Sequence, residues 1–135
     1  MTFSIQNEED RVQKGMPHVL VVDDTEVIRL VLNDMLVTLG CTVEAFNSGE
    51  AVLEHIANGT SFDFILMDCQ MPYMDGLETT RRMLQDHPER NIKVVAISAH
   101  GTESDRIEQR GAGMMAHLNK PFRLKELQAL LNQMA

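Results

Sequence analysis

The sequence has no apolar run approaching the roughly 20 residues that a membrane-spanning helix requires. Its first 16 residues are polar and carry no apolar core of a secretion signal. It also lacks a basic stripe. Acidic residues outnumber Lys and Arg by 20 to 12, and the formal net charge of -8 excludes a phosphate-neutralising nucleic-acid footprint. Cysteine is scarce: Cys41 and Cys69 have neither metal nor redox spacing and make no disulfide framework. Cys69 follows an acid and reads as a small, half-buried residue. His18, His55 and His87 are scattered and read as surface residues, not a metal site. No G-x-G-x-x-G follows the first strand and no G-x-x-x-x-G-K-[ST] occurs, which argues against a nucleotide-binding enzyme. Repeats and low-complexity segments are missing too. The expectation from these absences is a cytoplasmic, reduced protein with no membrane or direct nucleic-acid partner.

What is present is one domain's worth of chain: 135 residues, 44% hydrophobic and 24% charged, enough for a single core. Residues 1–16 read as a polar extension and 17–135 as the domain. Short apolar runs at Val19–Val22, Thr42–Phe46, Phe64–Met67, Lys93–Ile97 and Met115–Leu118 have strand character. Helical spacing fills the gaps. The first helix starts at Asp24 or Thr25 and runs to Leu39, with Gly40 after it. The second is capped by Ser48, the third spans Leu77 to Gln85, and the fourth runs from Thr102 to Arg110, closed by Gly111. A fifth covers Leu124 to Met134. Alternating strands and helices predict a doubly wound α/β fold with a parallel five-stranded sheet.

Such a sheet collects its strand ends on one edge, where ligands bind. Strand one ends in Asp23-Asp24, strand three in Asp68 and strand four in Ser98, while strand five leads to Lys120. Taken singly, the paired acids suit a helix N-terminus, Asp68 a turn and Lys120 a solvated surface. Together, three carboxylates raise one another's pKa values, and a hard divalent cation with oxygen ligands relieves the repulsion. Phosphoryl transfer to a carboxylate needs these parts: Asp68 as nucleophile, a metal against the developing charge, and Lys120 and Ser98 on phosphoryl oxygens.

The motifs Val-Asp23-Asp24, Met67-Asp68-Cys-Gln-Met-Pro72-x-Met-Asp75-Gly76, Ala96-Ile97-Ser98-Ala99 and Lys120-Pro121-Phe122 resemble the receiver domain of two-component response regulators, especially receivers of hybrid histidine kinases. The resemblance runs from His18 to Ala135. It implies a (βα)5 flavodoxin-like fold with strand order 2-1-3-4-5. It further implies that Asp68 is the phosphoacceptor and that Mg²⁺ (or Mn²⁺) is held by Asp24 and Asp68, by Asp23 through water and by the backbone carbonyl of Gln70. Lys120 would bind the phosphoryl group, with Pro121 after a cis peptide bond, and Ser98 would swing in as the switch hydroxyl. The implied partner is a histidine kinase or a histidine phosphotransfer protein, with a phosphorylation-dependent dimer also implied. The protein would catalyse only its own phosphorylation and dephosphorylation, and so is not classed as an enzyme.

One position departs from the family. The ring three residues before the Lys, commonly Tyr or Phe, is His117, a polar ring that titrates near neutral pH. His100, after strand four, is a candidate to influence phosphoryl lifetime. Two alternatives remain. A phosphatase of the haloacid-dehalogenase kind needs an acid two residues after the nucleophile, where this chain has Gln70. A receiver-like scaffold without phosphorylation would be expected to have lost some of these acids or the Lys. On helix one, periodicity puts Ile28, Val31, Leu32, Met35, Leu36 and Leu39 toward the sheet. Val27, Leu30 and Val37 form a strip on other faces, starting beside Asp23-Asp24, which is the expected docking strip for a partner helix.

Overall fold

The computed structural model of the protein describes residues 16–134. The expected extension over 1–16 lies outside the described residues, apart from Met16. Five strands alternate with five helices: β1 (His18–Val22), α1 (Glu26–Thr38), β2 (Thr42–Phe46), α2 (Gly49–Ala57), β3 (Phe64–Asp68), α3 (Gly76–Asp86), β4 (Val94–Ser98), α4 (Glu103–Ala112), β5 (Ala116–Asn119) and α5 (Leu124–Met134). A short 3-10 turn over Pro88–Arg90 precedes β4. The strands form one parallel sheet in the order β2-β1-β3-β4-β5, as expected.

The central strands β1, β3 and β4 are apolar apart from His18 at the start of β1, Asp68 at the end of β3 and Ser98 at the end of β4, because helices cover both faces, and side chains alternate between two cores. Val19, Val21, Leu66, Val95 and Ile97 pack with Leu32 and Leu36 of α1 and Leu127 and Leu130 of α5. Leu20, Val22, Ile65, Met67, Val94 and Ala96 pack with Val52 and Ile56 of α2 and Met83 of α3. Each fully buried Leu, Ile or Val contributes about 1.5–3 kcal/mol relative to exposure. That is what holds the strand ends, and the acids on them, in place.

Caps mark the helix starts. Ser48 Oγ accepts from Ala51 N, Asp75 Oδ1 from Glu78 N and Thr102 Oγ1 from Asp105 N. Thr25 occupies the N-cap of α1 without a side-chain bond of its own.

Three expectations need correction. Helix α4 does not stop at Gly111; it continues to Ala112, and Gly113 closes it at φ 103 in the left-handed region, where a glycine costs least. Val31 does not face the sheet but is 46% exposed, so the buried face of α1 is centred on Leu32 and Leu36 and is narrower than its apolar stripe. His18 and His55 are not scattered surface residues. Both rings reach Glu44 of β2, at 2.7 Å and 3.3 Å, and are largely buried.

Candidate functional site

The last residue of β1 is Val22, and Asp23 extends the pairing by one bond, its N–H donating to Phe46 O at 3.1 Å. The Asp23 side chain then accepts from Thr25 N at 2.9 Å, a local bond that turns the chain into α1. Arg29 anchors the same turn by donating to Asp23 O at 2.9 Å. Asp68 ends β3 opposite Ile97, and its Oδ1 accepts from Gln70 N at 3.2 Å. Lys120 N donates to Ser98 O at 2.8 Å, which carries the β4–β5 pairing past the strand and brings the ammonium to the same edge.

There Lys120 Nζ lies 3.1 Å from Asp23 Oδ2 and 3.5 Å from Asp68 Oδ1. Carboxylate oxygens of Asp23, Asp24 and Asp68 all fall within 4.8 Å of one another. Asp23 and Asp68 are buried and Asp24 is exposed. Burial pushes the Asp68 carboxyl up from 3.8 to about 6. The Asp23 charge adds to that rise, while the Gln70 amide and Lys120 oppose it. Burial would lower the pKa of the Lys120 ammonium, but its bond to Asp23 and the charges of Asp68 and Asp23 hold it above its usual value.

One ammonium against three carboxylates leaves two negative charges uncompensated, in a set made only of hard oxygen donors. That is the charge and donor type of a divalent cation such as Mg²⁺. Asp23 is already committed to Lys120 and Thr25, whereas the Asp24 carboxylate has no hydrogen-bond partner among the described residues.

Ser98 is near this cluster but bonded elsewhere. Its hydroxyl donates to His100 O at 2.8 Å and accepts from Gln109 Nε2 at 3.5 Å. His117 is exposed on β5, and the slight desolvation of its ring together with Arg106 and Arg110 lowers its pKa, which favours the neutral ring. It lines a groove of about 320 Å³ with Arg106, Arg110, Met115 and Gln133. Gln70 is exposed two residues beyond Asp68, and the Lys120-Pro121 peptide is cis, as the resemblance implies. Burial pushes the thiols of Cys41 and Cys69 up to about 11, so both are protonated and inert at neutral pH. Val27, Leu30 and Val37 are exposed, as expected, and Val31 joins them.

Sequence reasoning missed Gln109. It is 6% exposed on α4, where Ala112 is the other buried residue, and its Nε2 also lies 3.7 Å from Cys69 Sγ. A signal was available: Gln109 falls three residues before Ala112, on the only face of α4 that is buried.

A doubly wound sheet whose strand ends gather two buried aspartates, an exposed third and a lysine on one edge defines a class of phosphoacceptor modules. The chain belongs to the response regulator receiver domain family, whose family model matches residues 19–132. Among its relatives is "Probable histidine kinase 2" of rice, 33% identical over 91% of this chain and 13% of the kinase. Another is "Hybrid signal transduction histidine kinase L" of Dictyostelium discoideum, 30% identical over 96% of this chain and 8% of the kinase. The chain thus spans only a small part of the length of these kinases. Among solved structures, the chemotaxis protein CheY4 of Vibrio cholerae superposes with a TM-score of 0.82 at 27% identity, covering 89% of this chain and 99% of that one. The receiver domain of the histidine kinase CKI1 from Arabidopsis thaliana, complexed with Mg²⁺ and BeF₃⁻, has a TM-score of 0.74 at 31% identity. That match covers 87% of this chain and 89% of the other.

Proposed function

We propose that this receiver accepts a phosphoryl group from a phosphohistidine donor onto Asp68 in a Mg²⁺-dependent reaction, and then relays it or changes its output surface. The observation that carries this is the Asp23–Lys120–Asp68 arrangement, with Asp24 beside it and free. An Asp68 carboxylate oxygen attacks phosphorus, the P–N bond to the donor imidazole breaks, and its electron pair leaves with the imidazole nitrogen. Lys120, already 3.5 Å from Asp68 Oδ1, is placed to meet an oxygen of the arriving group. Asp24, Asp68 and the Gln70 backbone carbonyl, with Asp23 through water, would hold Mg²⁺, which would neutralise charge on the transferred group; Mn²⁺ has the same donor preference. Gln70 puts an amide where a phosphatase of the aspartyl-phosphate kind would need an acid, so the phosphate serves as a signal and not as a turnover intermediate. In this reading the chain is a non-enzymatic, cytoplasmic signalling module; no helix among the described residues is long and apolar enough to cross a membrane. Incubation with acetyl phosphate and Mg²⁺ should add one phosphoryl group, at Asp68; labelling at any other residue sinks the assignment.

Asp24 should matter more than Asp23 for the metal, because its carboxylate is uncommitted. Asp24→Ala is expected to weaken Mg²⁺ binding by about tenfold or more, in a calorimetric or spectroscopic titration. Native-like affinity would refute the assignment.

The donor docks, in this reading, along α1. Val27, Leu30, Val31 and Val37 are 64%, 59%, 46% and 54% exposed on a helix whose N-terminus adjoins Asp23-Asp24. A helix carrying the phosphohistidine can lay its apolar face on this strip and bring the imidazole to Asp68. Leu30→Glu should slow transfer from a histidine phosphotransfer protein about tenfold, the scale of a lost interface anchor, and leave acetyl phosphate labelling unchanged. Equal rates from the protein donor would reduce the strip to plain surface.

A further inference from the structure

Ser98 has one hydrogen, and it goes to His100 O at 2.8 Å. Its oxygen can therefore only accept from its other neighbour, so the Gln109 edge facing it is the amide nitrogen. That nitrogen has two hydrogens and two neighbours: Ser98 Oγ at 3.5 Å and Cys69 Sγ at 3.7 Å. Both bonds are long, and the Gln109 side chain is buried beside a cavity of about 190 Å³ that Cys69, Ser98 and His100 also line. One side chain of α4 thus touches the switch hydroxyl and the residue directly after the phosphoacceptor.

We infer that Gln109 is a positioning residue that holds Ser98 away from Asp68 and makes α4 respond when Ser98 leaves it. This rests on the phosphoacceptor reading above. When Ser98 turns to a phosphoryl oxygen on Asp68, its bond to Gln109 is lost and one amide hydrogen is left unpaired in a buried position. An orphaned buried donor is costly, so either Gln109 or the whole of α4 shifts to satisfy it. The route to α4 then runs through an amide buried against the site, while the ring of His117 stands exposed on β5.

The test uses Gln109→Met, which keeps the length and flexibility of the side chain and removes the donor. Gln109→Leu serves as a second variant, and melting curves establish that both are folded. The ligand is beryllium fluoride with Mg²⁺, titrated into native protein, each variant, Ser98→Ala and the double variants. Without the latch the variants should bind the mimic about two- to fourfold more tightly than native, the lower part of the range for one hydrogen bond, because this one is long. In the Ser98→Ala background the same substitutions should change nothing, which a purely structural role would not produce. Amide exchange across Glu103–Ala112 should respond to the mimic in the native protein and much less in Gln109→Met. Equal affinities with an unchanged α4 response overturn the inference, as does an equal effect with and without the Ser98 hydroxyl. No binding of the mimic to the native protein overturns the phosphoacceptor reading itself, and the inference with it.

Discussion

Without metal at pH 7, Asp68→Asn is expected to be more stable than the native protein by about 1–3 kcal/mol while losing all phosphoryl acceptance. The Asp68 carboxyl titrates near 6 in the folded chain, against 3.8 for the ordinary group, chiefly because it is buried and next because Asp23 faces it. The folded state therefore holds this proton more tightly than the unfolded state, and each tenfold difference in proton affinity is worth about 1.4 kcal/mol. Below about pH 3, under both values, both states are protonated and Asp68 costs nothing. As pH rises through about 4 to 6 the unfolded state ionises first and native stability falls, until the full cost stands above about pH 6. Asparagine has the shape of the neutral acid and does not titrate, so the gap between variant and native should open over that window and then level. Urea denaturation in a chelating buffer at about pH 4, 5, 6 and 7 measures it; a gap that does not widen overturns the account. Adding Mg²⁺ should then stabilise the native protein more than the variant, because the ion binds the folded acids.

Burial of this kind is invisible in the motif but follows from its place. Phe64-Ile65-Leu66-Met67 reads as a strand covered on both faces, and an acid placed next on that strand is carried into the covered region with it. The same logic made Asp23, Asp24, Ser98 and Lys120 legible, because each ends or follows a run of apolar residues and the fold sets those ends along one edge. The strand order came from family resemblance, since five similar apolar runs do not say which lies beside which.

Other features were not legible for definite reasons. Periodicity at 100° per residue finds the apolar stripe of α1 but not how much of it the sheet covers, so Val31 was placed inside and lies outside. Gly111 and Gly113 are equivalent as letters; only the second adopts a positive φ, which depends on where the last helical bonds form. His18, Glu44 and His55 come from three elements, and their convergence depends on the register that sets His18 opposite Thr42. Gln109 carries no motif, and its meaning comes from Cys69 and Ser98 standing next to it.

The second large effect is expected at Gly76, and it is steric. A Cβ on this residue would stand 2.1 Å from the Asp68 carbonyl oxygen, 2.9 Å from the Asp68 carbonyl carbon and 2.9 Å from Met67 Cγ. The methionine end can move, but the backbone of Asp68 cannot easily do so. It lies opposite Ile97 on β4, and the next amide, Cys69 N, donates to Ile97 O at 2.9 Å. The first turn of α3 must therefore move away, stretching the 3.2 Å bond from Gly76 N to Cys69 O and dragging Asp75, which caps the helix through Glu78 N. Gly76→Ala is expected to cost about 3 kcal/mol, the upper part of the range for overpacking a close contact. It should also slow acetyl phosphate labelling, since the displaced loop contains the Gln70 amide that holds Asp68 Oδ1. Gly111→Ala is the control. Nothing lies within 4 Å of its Cβ position and the residue sits inside α4, so it should gain about 0.4–1 kcal/mol. Denaturant unfolding of the two variants beside the native chain separates the effects: Gly76→Ala with native stability would mean that β3 and α3 are not held as closely as the 2.1 Å approach requires.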